Sequence, residues 1–355
     1  ICDGSLPDGA SADGVRRMSA CPPENGAGSY ARPSPIVAIL TLKCVNSNAV
    51  SRHKLHNLWP ECLCTLWSDI DLLLWGTDGN MHIPKGKTTS HRAKEIRTMK
   101  EATRIQIENM KNQTFGVEIE GNNITRQKAA EKAAAYFGTG RSEYTAHRNG
   151  YMTWSAWDAQ GREWKFQRDV SIEGPDDQKC EMVTPILTYA DMELLQGLVR
   201  ILRKAGMKSD AERGCGVHIH IGAKGHTPQT IRNLVNIMAS HESHIAKAIK
   251  VDSWRQSRYC RTVDPRFLEQ VNRKKPSTMS QLADVWYESQ HCEYGRSHHY
   301  NDSRYHMLNL HATFTKHTIE FRLFQFDAPA DGKQNGLHAG HLKAMIQLCL
   351  AMSQL

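Results

Sequence analysis

The sequence predicts an α+β fold in which strands carry apolar side chains on one face and functional side chains on the other, with helices covering the apolar face. Three observations carry this prediction. Four short segments alternate with period two and set a polar i,i+2 pair opposite apolar neighbours: Glu118/Glu120, His218/His220, Asn309/His311 and Glu320/Arg322. Longer segments between them place apolar residues at helical spacing. Gly and Pro residues such as Gly138, Pro185 and Gly206 punctuate the two kinds of segment.

The 355 residues, 40% apolar and 23% charged, suit one large globular domain or two. A formal net charge of +8 suits an anionic ligand such as a nucleotide. No aromatic-interleaved basic stripe is present, so nucleic acid is not expected as a partner. The 10 cysteines are scattered singly apart from Cys62 and Cys64, without CxxC pairs. That usage reads as reduced thiols and a cytoplasmic location. The apolar patches at 35–45 and 59–75, the latter broken by Glu61, Asp69 and Asp71, fall short of the roughly 20 residues of a membrane span. No membrane partner is expected, and oligomerisation is left open.

Residues 1–98 show no sustained period and read as a poorly structured segment, either upstream sequence that is not native or a natural disordered tail. Residues 99–355 are expected to form a single folded domain that carries the function. Within it, Phe115 to Glu120 alternates as a strand with Glu118 and Glu120 on one face. Thr125 caps an Ala-rich helix through Phe137 that Gly138 ends. Trp154 to Asp169 reads as a hairpin turning at 158–161, and Glu181 to Thr184 as a strand stopped by Pro185. Thr188 and Asp191 open a helix that ends at Gly206. Val217, Ile219 and Ile221 bury one face of a strand whose other face carries His218 and His220. Thr227 and Pro228 begin a second long helix. Residues 252–300 read as loops with one helix, Met279 to Tyr287. Strands are expected at 308–314 and 318–323, then a last helix from Leu337 or Gly340 to Leu355.

If these strands share a sheet, its exposed face collects carboxylates, imidazoles and a guanidinium. Any one pair alone reads more simply as a solvated face or an ordinary ion pair. Together, carboxylates in that number repel one another and gather protons unless hard cations neutralise them. Oxygen-rich donors suit Mg²⁺ or Mn²⁺, which also bridge nucleotide phosphates. Such a surface fits phosphoryl transfer to a carboxylate, giving an acyl phosphate that an amine can attack, with Arg304 or Arg322 stabilising the transferred group.

The segments Phe115 to Glu120, Asp169 to Ser171, Glu181 to Leu187, Cys215 to Gly222, Ser303 to His311 and Thr318 to Phe324, in that order, resemble the amidoligase family, which is related to glutamine synthetase and glutamate-cysteine ligase. The resemblance runs from about Gln113 to near the C-terminus. It implies a glutamine-synthetase-like catalytic fold, a curved and mainly antiparallel sheet backed by helices, that uses ATP and a divalent metal. It assigns Glu118, Glu120, Glu181 and Glu320 to metal, and His218 to metal or nucleotide phosphate with His220 beside it. Arg322 becomes a phosphate-binding arginine and Arg304 a second one, both counted as catalytic. Asn309 joins His218, His220 and Arg322 as cofactor-binding, and Asp169 takes metal or substrate. The chain is shorter beyond the Glu320 strand than the family pattern, so a completing C-terminal segment is expected to be missing.

The expected activity is ATP- and Mg²⁺-dependent ligation of a carboxylate-bearing amino acid, peptide or protein to an amine. Three alternatives use the same face. A metal-dependent hydrolase would hold zinc with His218, His220 and a carboxylate. A binding module would hold nucleotide without turnover. A guanidino kinase would stop at the phosphorylated product.

Overall fold

The computed structural model describes residues 101 to 354 apart from 102, 149, 291, 293 and 328 to 334, so the reading of residues 1–98 lies outside the described residues. After a leading helical segment at 103–111, eight strands form one antiparallel sheet: β1 (Phe115–Gly121), β2 (Ser142–Tyr144), β3 (Trp154–Trp157), β4 (Glu163–Gln167), β5 (Cys180–Val183), β6 (Val217–Gly222), β7 (Leu308–Asn309) and β8 (Thr318–Phe324). Their order across the sheet is β2-β3-β4-β5-β1-β6-β8-β7, which puts β1 and β6 near the centre.

Alternation decides which face each side chain takes. Phe115, Val117 and Ile119 of β1, Val217, Ile219 and Ile221 of β6, and Ile319, Phe321 and Leu323 of β8 are all buried in one core. Helices α1 (Arg126–Phe137), α2 (Met192–Ala205) and α8 (Ala339–Met352) supply its other side. Both predicted ends of α1 hold: the Thr125 hydroxyl accepts from the Lys128 N–H, and Gly138 takes a left-handed conformation. The Thr188/Asp191 capping box precedes α2, and Gly206 closes it in the same left-handed way. The amphipathic α3 (Pro228–Ala248) buries Ile231, Leu234, Val235 and Met238.

Two segments differ from expectation. In place of loops between 252 and 278 the chain folds α4 (Ser253–Arg258) and α5 (Pro265–Lys274), followed by the expected α6 (Met279–Glu288). Asp252 and Asp264 cap these helices through their carboxylates, and Phe267 and Val271 anchor α5 in the core, so charge around α5 masked a narrow apolar stripe. The expected strand at 308–314 stops after two residues. Leu310 turns helical, its carbonyl accepts from the N–H groups of Thr313 and Phe314, and α7 (His311–Thr315) brings the chain round to enter β8 beside β7. Period-two apolar residues there are also spaced for one helical turn.

The described cysteines are free, and Cys180, Cys215, Cys260 and Cys349 are buried. Burial pushes the Cys180 thiol up to about 12, so it packs as a small apolar side chain. Among the described residues no helix is long and apolar enough to cross a membrane.

Glu242 ties α3 to the segment entering α5, its carboxylate accepting from the Val263 N–H at 2.9 Å. Burial raises its pKa from the ordinary 4.5 to about 7, with the Val263 bond opposing. The folded state therefore binds a proton that the unfolded chain has released between those values, and the contribution to stability falls as pH rises through about 7. Thermal midpoints measured from pH 5 to pH 8 are expected to fall more steeply for the parent than for Glu242→Gln, which keeps the acceptor oxygen and cannot titrate.

Candidate active site

Antiparallel partners share a face, so the register of the sheet brings the functional residues together. Glu120 on β1 pairs with Glu181 on β5, Glu118 with His218 on β6, and His220 with Glu320 on β8, which in turn pairs with Asn309 on β7. Asp169 arrives from the end of β4 and lies with Glu120 and Glu181. Every expected metal residue and both histidines therefore meet on the face turned away from the core.

Two compensated acids and one uncompensated acid define the electrostatics. Glu118 sits 3.1 Å from His218 Nδ1, 3.3 Å from His220 Nε2 and 3.7 Å from Lys316 Nζ. Burial alone would raise its pKa, but the His220 charge, hydrogen bonds from both histidines and Lys316 hold it well below the usual range. Glu320 takes Arg322 at 2.6 Å and the Asn309 amide at 2.7 Å. Burial again opposes ionisation, yet Arg322 and then His220 bring it down to about 2. Glu181 has only the Gln167 amide at 2.7 Å. Burial first, then the carboxylates of Glu118, Asp169 and Glu120, push it well above the usual range.

The imidazoles divide in the same way. Burial and Arg322 lower His218 against the pull of Glu118 and Glu120. His220 is raised, because Glu320 and Glu118 outweigh its burial. Its Nδ1 meets the Thr318 hydroxyl at 3.0 Å, while the buried Nε2 lies between the carboxylates of Glu118, at 3.3 Å, and Glu320, at 3.9 Å.

These donors fit divalent cations. Three overlapping groups, Glu118/His220/Glu320, Glu118/Glu181/His218 and Glu120/Asp169/Glu181, each offer ligand atoms within 4.8 Å of one another. The buried His220 Nε2, set between two carboxylates, and the crowded Glu181 are the independent signs: one is a ring nitrogen aimed into the cluster, the other a carboxylate raised by burial and by three neighbouring acids.

Three further expected residues take places set by their neighbours. Arg322 clamps Glu320 and lies under the Tyr305 ring. Arg304 lies over Tyr300 and Tyr305, with its guanidinium donating to the His299 carbonyl. His311, paired with Asn309 in the sequence pattern, leaves the face with α7 and bonds the Tyr287 hydroxyl at 2.7 Å.

Sequence reasoning missed Arg255. This buried α4 residue donates to the Arg322 carbonyl at 3.1 Å and sits 3.4 Å from His218 Nε2. The Arg322 carbonyl needs it because β8 bulges there: Ile219 pairs with Phe321 but Val217 pairs with Phe324, so an extra residue leaves the ladder. Gly216 is the only residue type that leaves room, since a Cβ would lie 2.0 Å from the Arg255 guanidinium. The glycine next to a functional strand was the one available signal, and it does not name its partner. The Gln167 clamp on Glu181 and the Lys316 contact with Glu118 were equally hidden, being set by register and by the α7 turn.

A protein-family model described as "Putative amidoligase enzyme" matches residues 111–353. No curated protein and no solved structure matches the chain.

Two substitutions test this geometry. Glu181→Gln relieves the crowding but removes a ligand. Its metal-free thermal midpoint is expected to equal or exceed the parent's, while titration calorimetry shows Mn²⁺ affinity at least tenfold weaker, about 1.4 kcal/mol. Gly216→Ala is expected to cost about 1–3 kcal/mol in urea unfolding through overpacking against Arg255.

Proposed function

The chain belongs to the amidoligase family, and from that premise we propose that it is an ATP- and Mg²⁺-dependent ligase that joins a carboxylate to an amine through an acyl phosphate. The observation that carries this reading is the shared face of Glu118, Glu120, Glu181, Glu320, His218 and His220. There the overlapping donor groups share Glu118 and Glu181, which suits adjacent cations better than one isolated ion. The glutamine-synthetase-like character of the fold belongs to the same proposal, supported by the antiparallel sheet with helices on one side.

In this reading Glu118, Glu181 and His218, Glu120 with Asp169, and Glu320 with His220 hold Mg²⁺ or Mn²⁺. When bound, the cations neutralise the carboxylates and draw charge from the phosphoryl oxygens. The chain's own residues do the rest. Arg322 and Asn309 fix both oxygens of Glu320, so that ligand enters the reaction already oriented. Gln167 does the same for Glu181. Arg255 fixes the bulge that aims Arg322. Helix packing against the other face keeps these strands rigid, which electrostatic stabilisation of a transferring group requires.

His218 Nδ1 at 3.1 Å and His220 Nε2 at 3.3 Å from Glu118 bring two imidazoles and a carboxylate together, the composition of a catalytic zinc site, which supports a hydrolase as the second reading. The two separate on nucleotide dependence. With pooled amino acids, peptides and amines as substrates, ADP and phosphate are expected to form only when an acid, an amine and Mg²⁺ are all present, with an amide product by mass. Glu118→Gln and Glu320→Gln should keep the fold and lose at least about a hundredfold in rate. Amide-bond hydrolysis without nucleotide would sink the ligase reading.

A further inference from the structure

A cavity of about 720 Å³ opens beside the carboxylate cluster, at the end of the sheet where β1 and β8 begin and β6 finishes. Its walls divide by chemistry. Val183, Pro185, Ile186 and Met279 form an apolar side, with Ile186 74% exposed at the rim. Glu118, His220 and Lys316 form the end that touches the active face, and Lys224 stands at the mouth. Such a void, mostly apolar with a few convergent polar groups, is the ordinary form of a small-molecule site.

Its floor is Gly116. On the alternating pattern of β1 this position shares the face of Glu118 and Glu120, and it pairs with His220 across the strands. Backbone geometry does not demand glycine here, because Gly116 is not among the left-handed residues. Crowding does not demand it either: a Cβ would meet nothing nearer than the Thr184 hydroxyl at 3.8 Å and the Pro185 carbonyl at 4.0 Å. Glycine inside a central strand costs about 0.5–1 kcal/mol relative to alanine, and the fold gains nothing from it. What it does is keep the space next to His220 and Glu118 free of a side chain.

We propose that this cavity binds the acid to be activated, a carboxylic acid with an apolar body, whose carboxylate lies over Gly116 beside Lys316 and whose body lies against Pro185, Ile186 and Met279. The assignment rests on the ligase reading and specifies its substrate. The distribution of cations favours the acid over the nucleotide in this place. Two buried arginines, Arg255 over Gly216 and Arg322 at the bulge, stand towards the opposite end of β6, near Glu120. Planar guanidinium forks and acid-held metal suit a polyphosphate, whereas the lysine ammonium groups of Lys316 and Lys224 beside an apolar wall suit a carboxylate. His317, at φ 57° in the turn before β8, lines the same cavity and holds its backbone in a conformation that costs energy unless the surroundings require it.

Binding of N-acetyl-L-leucine, N-acetyl-L-phenylalanine and N-acetyl-L-leucine amide is measured by titration calorimetry, alongside the Mg²⁺ complex of a non-hydrolysable ATP analogue. The acids are expected to bind and the amide, which lacks the carboxylate, to bind at least tenfold more weakly. Gly116→Leu is expected to weaken the acids at least tenfold while nucleotide affinity changes less than twofold. Lys316→Met, an exposed position that cannot unfold the core, should weaken the acids about tenfold, or about 1.4 kcal/mol. Should Gly116→Leu fail to fold, Gly116→Ala with Lys316→Met decides the matter in the same assay. Acids that do not bind the parent, or that bind Gly116→Leu as tightly, overturn the proposal. Loss of nucleotide instead of acid on filling the cavity overturns it in favour of a nucleotide pocket. A parent that binds no nucleotide but binds acids in the Gly116-dependent way overturns the ligase reading and leaves the acid site standing.

Discussion

Crowding of carboxylates on one face of the central strands is the constraint on which the rest of this structure depends. Antiparallel pairing forces Glu120 against Glu181 and sets His220 between Glu118 and Glu320, because residues opposite one another must point the same way. Two of these acids obtain cationic partners from the chain and ionise readily. Glu181 has no such partner among the described residues, and burial and its acidic neighbours push it well above the usual carboxylate range. A sheet built only for stability gains nothing from that arrangement, since an apolar residue at each position would remove the repulsion. The charges make sense as a site waiting for counter-charge.

Holding such a face in place requires compensation on several levels. The opposite face is continuous core, with β1, β6 and β8 all contributing fully buried side chains to the helices behind them. The bulge in β8 turns Arg322 towards Glu320 and frees a carbonyl, which Arg255 takes from α4. Arg255 can reach it only across Gly216. One backbone irregularity, one arginine and one glycine thus form a unit, and none of the three is explicable without the other two.

The face also has a direction. Acids and arginines gather around Glu120, Glu181, Arg255 and Arg322, while lysines and apolar side chains gather around Gly116 and Ile186. Chemistry that couples a multiply charged phosphate donor to a carboxylate acceptor needs two such unlike regions in contact, and Glu118 and His220 lie where they meet. That shared boundary is what relates the candidate metal groups to the cavity.

Much of this was legible in the residues themselves. Strict alternation placed β1, β6 and β8 and the correct face of Glu118, Glu120, His218, His220 and Glu320, because a side-chain period of two leaves no freedom about facing once the strand is known. Capping residues placed the ends of α1, α2 and α3. Local signals failed where they were short or ambiguous: Leu308 to Phe314 alternates but turns helical after Asn309, and charged residues hid α5. By itself, then, the sequence determined the elements, their buried faces and the membership of the acid and histidine set, all consequences of local periodicity. Only the tertiary structure decided the strand order and register, the seat of Arg255 over Gly216, the placement of Arg304, the departure of His311 with α7, and the open floor at Gly116. Those depend on contacts between residues tens to hundreds of positions apart, for which a single chain carries no local signature.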